Sequence, residues 1–152
     1  MFAAKNEAGM ILGFPDSGHV SGYYPNSPEI TKQEIETVSK FVESKGLLPE
    51  NTRLRKCSKG NFKLLIASAE GNPSSKDRDI KETEYNLEGS LSGKTLKLVY
   101  GDHDQEMDKI GLQMLKARDA ALNDTEHSMC HAYSKSFNTG QYDHDSRVHT
   151  AL

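Results

Sequence analysis

Apolar residues along this 152-residue chain follow a helical period most clearly after Thr31. Thr31 and Glu34 have the spacing of a capping box, in which the hydroxyl accepts from the N3 amide and the carboxylate reaches back to the first amide. The apolar residues then recur at helical spacing, at Ile35, Val38, Phe41 and Val42. Gly46 is placed to end this helix in a left-handed conformation.

Other stretches alternate apolar and polar residues, as strands do. Residues 51–69 predict a β-hairpin with its turn at "SKGN", residues 58–61. The second arm places three apolar side chains on one face, at Phe62, Leu64 and Ile66. Further strands are predicted within 83–89 and 94–101, and "HVSGYY" at 19–24 predicts a short extended piece between loops.

Two more helices are predicted in the C-terminal part of the chain. Asp102 or Asp104 caps the first, which runs to about Asn123. Its apolar stripe comprises Met107, Ile110, Gly111, Met114 and Ala121, widened by Leu115 and Leu122. The second helix spans about 125–137, and "NTG" at 138–140 stops it.

The order of these elements predicts an α+β fold, with a small antiparallel sheet or partial β-barrel and flanking helices. A short helix is also predicted within 2–12, and a polar loop at 70–81. Residues 141–152, "QYDHDSRVHTAL", have no apolar pattern and are expected to be disordered. Only 35% of the residues are hydrophobic, so we expect a fold with a thin core and a face meant to be covered by a larger structure.

Composition argues against several partners. The net charge is -3 and no basic stripe with interleaved aromatics is present, so no nucleic-acid partner is expected. No apolar run approaches the roughly 18 residues of a membrane span, and no signal peptide is recognised at the N-terminus. The two cysteines, Cys57 and Cys130, imply no disulfide framework. A soluble, cytoplasmic protein is expected.

The stretch "EHSMCH", residues 126–131, is the most suggestive of metal chemistry. On a helix, His127 and His131 lie one turn apart on one face, with Cys130 beside them. A metal site needs three or four ligands, and HExxH helices place a glutamate directly after the first histidine, where this chain has Ser128. The interpretation favoured here is a helix face with two exposed histidines, and not a metal site.

Other stretches carry residue types of interest without a catalytic pattern. The acidic residues of "GDHDQE", 101–106, favour a helix N-terminus over a cation site, because carboxylates there interact well with the helix dipole. His19 with Ser17 and Ser21 lacks a nucleophile elbow, and "GSLSG" at 89–93 lacks the lysine of a phosphate loop. Tyr23 and Tyr24 before Pro25 favour packing of a loop. The residues therefore predict no catalytic and no metal-binding residue, and leave substrate-binding residues unknown.

Several stretches taken together resemble the dipeptidyl peptidase III family, particularly its fungal members. These are "GHVSGYYP" at 18–25, "GLLPENTRLRK" at 46–56, "LLIASA" at 64–69, "GKTLKLVYGDH" at 93–103 and "ALNDTEHSMCHAYSKSF" at 121–137. The resemblance implies a part of a cytosolic, two-lobed zinc exopeptidase that removes dipeptides from the N-termini of short peptides. It also implies that residues 1–140 belong to the lobe without the metal, upstream of the zinc-binding helices.

In the family the zinc is held by HExxxH-type and EExxxE-type helices, and neither motif occurs in this sequence. The resemblance therefore implies a fragment that is inactive alone and binds no zinc. Residues 141–152 are expected to be an aberrant tail, encoded by an intron or a shifted frame. The alternative is a standalone peptide-binding or regulatory module without catalysis, in which a peptide adds along an exposed strand edge such as 62–68.

Overall fold

The computed structural model describes residues 13–47, 49–72 and 82–141, and these residues form two compact units. The first unit comprises the described residues up to Leu65 together with Glu84–Leu98. The second unit comprises the described residues of Ile66–Thr83 and those from Val99 onward. The helix predicted within 2–12, most of the loop predicted at 70–81 and the tail after Gln141 lie outside the described residues.

Helix α1 of the first unit spans Lys32–Ser44 and confirms the prediction from Thr31. Its capping box is complete: the Glu34 amide donates to Thr31 Oγ1 at 3.2 Å, and the Thr31 amide donates to Glu34 Oε2 at 2.9 Å. The helix is followed by Gly46 at φ +72°, whose amide donates to the Glu43 carbonyl. The buried side chains of the helix are those of the predicted stripe, Ile35, Val38 and Val42.

Four strands form one sheet in the order β1-β2-β4-β3. Their bounds are Thr52–Lys56 for β1, Phe62–Ala67 for β2, Glu84–Asn86 for β3 and Thr95–Asp102 for β4. The predicted hairpin between β1 and β2 is confirmed, with Lys59 and Gly60 at positive φ and the Cys57 amide donating to the Asn61 carbonyl at 2.7 Å. Alternating apolar residues of β2 and β4 are buried as predicted, at Phe62, Leu64, Ile66, Leu96, Leu98 and Tyr100.

The sheet is mixed, and the fold is α+β as predicted. Strand β3 pairs antiparallel with β4, with Glu84 opposite Lys97. At the start of β4, the Thr95 amide donates to the Asn61 side chain, which directly precedes β2. Just after β2, the Ser68 amide donates to the carbonyl of Asp102, the last residue of β4. Strands β2 and β4 therefore run in the same direction, a long-range pairing that alternation within each strand does not specify.

The extended piece predicted at 19–24 is wrong, because turns occupy residues 22–24. Ser21 Oγ accepts from the Tyr23 amide at 3.2 Å and closes one of these turns. The 21–27 loop nevertheless covers β1: the Leu54 amide donates to the Tyr23 carbonyl at 2.8 Å, and the Lys56 amide donates to Ser27 Oγ at 2.9 Å. Polar side chains here satisfy backbone groups that a paired strand would otherwise satisfy.

Two helices of the second unit confirm the predicted C-terminal pair. Helix α2 spans Asp104–Asp119, and its first residue is preceded by His103 at φ +56°. The expectation that Asp102 or Asp104 is the cap is therefore wrong, since Asp104 already lies within the first turn. Helix α2 also ends before the expected Asn123. Helix α3 spans Asp124–Thr139, capped by the Asn123 side chain and ended by Gly140 at φ +73°.

Candidate functional site

The stretch "EHSMCH" lies on α3, as predicted. His127 and His131 are exposed and Cys130 is buried, so the thiol is held in packing while both imidazoles face solvent. Among residues 13–47, 49–72 and 82–141, no group of three or more His, Cys, Asp or Glu side chains could hold a metal ion. Within the described residues, the two imidazoles one turn apart therefore lack the further ligands that a zinc site needs.

The acidic stretch "GDHDQE" serves the start of α2. Asp104 and Glu106 lie in the first helical turn, where the helix dipole favours carboxylates. The His103 ring lies 4.0 Å from the Asp102 carboxylate, and the Asp104 side chain accepts from the Gln105 amide at 2.8 Å. The acidic side chains thus act on the helix terminus, as the sequence predicted.

The residues around His19 form no nucleophile–base pair. Ser21 Oγ is engaged by the Tyr23 amide, and Ser17 Oγ donates to the Asp16 carboxylate at 3.4 Å. The stretch "GSLSG" forms a tight turn over Gly89–Leu91. In neither arrangement does a hydrogen bond between described residues join a histidine to a serine hydroxyl, as Ser–His nucleophilic catalysis requires.

The paired tyrosines line a small cavity of the first unit. Burial, and secondly the neighbouring Tyr23, raises the pKa of the Tyr24 hydroxyl above its usual value. The cavity holds about 110 Å³ and is walled mainly by apolar side chains of α1 and the sheet, among them Ile35, Val42 and Leu64. Its lining agrees with the prediction that the tyrosines pack this loop.

An ion pair that sequence reasoning missed joins α1 to β1. Lys56 Nζ lies 2.8 Å from Glu34 Oε1 and 2.9 Å from Oε2, and donates to the Glu29 carbonyl at 3.2 Å. Partial burial raises the pKa of Glu34, but the hydrogen bonds from Lys56 and Thr31 outweigh it and hold that pKa below its usual value. A separation of 22 residues hides such a pair from any local pattern. The pair links the first turn of α1 to the last residue of β1.

A groove of about 550 Å³ lies between α2 and α3 of the second unit. Gly111 of α2 and Ser134 of α3 are in contact, because Ser134 Oγ donates to the Gly111 carbonyl at 3.1 Å. A Cβ at position 111 would lie 3.7 Å from the Ser134 carbonyl oxygen, which is an ordinary van der Waals contact. This α2–α3 groove is lined by Ala69, Met107, Asp108, Gly111, Leu112, Leu115, His131, Ser134, Lys135 and Asn138.

The end of α3 is fixed to the chain that follows β2. The amides of Ala69 and Glu70 donate to the carbonyls of Phe137 and Asn138, both at 3.0 Å. These bonds satisfy carbonyls that the last turn of a helix leaves without intrahelical partners. Gly140 packs closely enough that a Cβ there would meet Ile66 Cγ2 at 2.7 Å. Hydrogen bonds and close packing therefore join one end of the α2–α3 groove to the chain after β2.

Comparison with known proteins places the chain among peptidases. Residues 1–149 match the sequence model of peptidase family M49. The chain is 37% identical over 132 residues to Dipeptidyl peptidase 3 of Dictyostelium discoideum, a match that covers 87% of this chain and 17% of that protein. It is 31% identical over 137 residues to Dipeptidyl peptidase 3 of Nematostella vectensis, with 85% and 18% covered.

The chain belongs to peptidase family M49, a family of metallopeptidases, and the predicted resemblance to dipeptidyl peptidase III is confirmed. It spans less than one fifth of the length of either relative. The described residues do not fit a resident catalytic metal, since they bring together no ligand set. No helix among them is both long and apolar enough to cross a membrane.

Proposed function

We propose that this chain forms a non-catalytic part of a zinc-dependent dipeptidyl peptidase that releases N-terminal dipeptides from short peptides. The observation that carries the proposal is the match to family M49 over residues 1–149, combined with coverage of only 17% and 18% of two relatives. In this proposal residues 1–140 belong to the lobe that does not hold the metal.

The chemistry of amide hydrolysis supports the non-catalytic role. A metallopeptidase uses its metal to polarise the scissile carbonyl and to activate water, which requires a fixed ligand set. The helices that the resemblance assigns to this task, of the HExxxH and EExxxE types, have no counterpart in the 152 residues. The chain alone is expected to release no dipeptide.

A hydrolysis assay tests this proposal. The purified chain is incubated with a dipeptidyl-naphthylamide, with and without added zinc, beside the Dictyostelium relative as a positive control. We expect no product from the chain and zinc-dependent product from the relative. Turnover by the chain that a chelator abolishes would refute the proposal.

A standalone peptide-binding module could not bind a peptide by strand addition along residues 62–67. Strand β2 lies between β1 and β4, so residues 62–67 are not a sheet edge and cannot accept an added strand. The outer side of β1 is in turn bonded by the 21–27 loop.

The proposed role also includes a cytoplasmic location, which rests on the family resemblance and is tested by fractionation of cells that make the chain.

A further inference from the structure

The cavity between α1 and the sheet has room for one small apolar group. It holds about 110 Å³. Pockets for drug-sized molecules begin at about 300 Å³, whereas an engineered apolar cavity of about 150 Å³ takes up benzene. Protein interiors leave few voids larger than a water molecule, so a gap of this size exceeds what close packing leaves. The volume therefore suits a single branched alkyl group.

The floor of the cavity is apolar and belongs entirely to the first unit. Helix α1 contributes Ile35, Val38 and Val42, and the sheet contributes Leu54 and Leu64. Each of these five side chains is at most 6% exposed, so solvent hardly reaches the floor. An alkyl group that enters such a cavity gains free energy because its own apolar surface leaves water.

The rim of the cavity on α1 is polar and acidic. Ser39 and Glu43 lie one turn apart, at the exposed edge of the helix face that forms the floor. Among the described residues, neither side chain makes a hydrogen bond or an ion pair. Glu43 is also the one charged residue among the described residues that line the cavity. The rim thus presents a carboxylate and a hydroxyl that a ligand can engage.

The rim of the cavity on the 21–27 loop is aromatic. Tyr23 is 45% exposed and Tyr24 is half-buried. The Phe14 ring stacks on the Tyr24 ring, with 6.4 Å between the ring centres, which supports this side of the rim. Tyrosine rings attract cations through the negative charge of their faces. The aromatic rim and the carboxylate of Glu43 therefore both favour a positive head group over a negative one.

We propose that this cavity is a binding site for an apolar primary ammonium. Its branched alkyl group lies on the floor, and its ammonium lies at the rim, where Glu43 and Ser39 accept hydrogen bonds from it. The same chemistry is present in a free alkylamine and in the N-terminal residue of a peptide that begins with an aliphatic side chain. Such binding goes beyond the proposed function, because it requires no catalytic group.

Three probes that share one alkyl group and differ in the head group test the site. Isoamylamine, isoamyl alcohol and isovalerate are titrated into the isotope-labelled 152-residue chain, and the shifts of the amide resonances of α1 and β1 give each Kd. We expect the amine to bind best and the carboxylate worst. The amine is expected to bind about twofold to fivefold more tightly than the alcohol, as an exposed ion pair provides.

A charge-removing variant tests the assigned role of Glu43. Glu43→Gln is expected to lower the affinity for isoamylamine to that for isoamyl alcohol and to leave the alcohol unaffected. Glu36→Gln is the matched control, since Glu36 is an exposed carboxylate of α1 that does not line the cavity. It is expected to keep the preference of the parent chain.

A cavity-filling variant tests the floor. Val42→Leu adds a methylene to the cavity and is expected to weaken binding of the amine and the alcohol at least about threefold. Val20→Leu is the matched control, at a residue that is 87% exposed. Thermal unfolding checks that Val42→Leu is folded, and Val38→Leu, which fills the same cavity from the preceding turn, replaces it if it is not.

A leucyl-glycyl-glycine peptide and its N-acetyl form distinguish the two sources of the ammonium. Binding of the peptide that acetylation abolishes assigns the site to peptide N-termini as well, whereas binding of isoamylamine alone assigns it to free amines. Both results support an ammonium site. Equal affinities of the three probes overturn it, as do a lack of saturable isoamylamine binding, a preference for the amine that survives Glu43→Gln, and binding that cavity filling leaves unchanged.

Discussion

Helices α1 and α2 carry apolar stripes of similar spacing, but they differ in how many of those residues are buried. Helix α1 buries Ile35, Val38 and Val42, and its Phe41 ring lies edge-to-face with Tyr85 of β3 at 5.5 Å. Helix α2 buries only Gly111 and leaves Ile110 and Leu112 exposed by 36% and 50%. The first stripe is core of this chain, whereas the described residues leave most of the second at least partly exposed.

The difference shows that helical periodicity predicts a helix without saying which residues cover its apolar face. The apolar face of α1 is covered by residues of the same unit. Some of these residues line the small cavity beside the helix. The apolar face of α2 is only partly covered by α3. A helix of this second kind gains less stability from the chain itself, since most helical stability in proteins comes from packing of an apolar face.

Matched truncations give the largest expected contrast between the two helices. Ile35→Ala, at a residue that is 5% exposed, is expected to lower the free energy of unfolding by about 2 to 5 kcal/mol. Leu112→Ala is expected to change it by less than about 0.5 kcal/mol. Urea denaturation of both variants measures the two values, and equal losses would contradict the comparison by showing that α2 buries its face in solution.

The glycines that follow α1 and α3 sharpen the comparison at the helix ends. Gly46 and Gly140 have φ values of +72° and +73°, but a Cβ at Gly46 meets open space, whereas one at Gly140 meets Ile66 at 2.7 Å. Gly46→Ala is expected to cost about 1 to 2 kcal/mol for the left-handed backbone alone. Gly140→Ala is expected to cost about 1 to 3 kcal/mol more from overpacking. Thermal unfolding compares them, and indistinguishable losses would show that the end of α3 is not tightly packed.

The smallest expected effect is a pH dependence from the Glu34–Lys56 pair. Because the folded pKa of Glu34 lies below its usual value, its stabilising effect is full above the unfolded pKa and is lost as the pH falls through the folded one. Glu34→Gln is therefore expected to lower stability near neutral pH by about 1 kcal/mol and to cost less at pH values below about 4.

Glu36→Gln is the control for this pH dependence. Glu36 is exposed, and its nearest oxygen lies 3.9 Å from Lys32 Nζ, so the change is expected to cost less than about 0.5 kcal/mol. Denaturant midpoints at pH 7 and at acid pH measure both variants. A Glu34→Gln deficit that is the same at both pH values would contradict the assigned role of the carboxylate.

Features set by neighbouring residues could be predicted from the sequence. The Thr31–Glu34 capping box, Gly46 after α1 and the turn at 58–61 each depend on residues within a few positions of one another. The alternation in β2 and β4 likewise identified the side chains that are buried. In these places local preference and the final fold agree, so a single sequence suffices.

Features set by distant residues could not be predicted. The shared direction of β2 and β4 shows in the Asn61–Thr95 and Ser68–Asp102 bonds, each more than thirty residues apart in sequence. The position of β2 inside the sheet, which excludes residues 62–67 as an edge, has the same origin. The groove between α2 and α3 likewise could not be predicted, because the apolar stripe of α2 does not show how few of its residues are buried.

The 21–27 loop has a consequence for how samples of this protein behave when concentrated. Unpaired amides along an outermost strand invite molecules to stack through their sheets, which is a route to insoluble fibrils. On β1 the amides of Leu54 and Lys56 already donate to Tyr23 and Ser27. That flank of the molecule is thereby protected from intermolecular strand addition by these backbone bonds, in addition to the charged side chains of Arg53, Arg55 and Lys56 on the same strand.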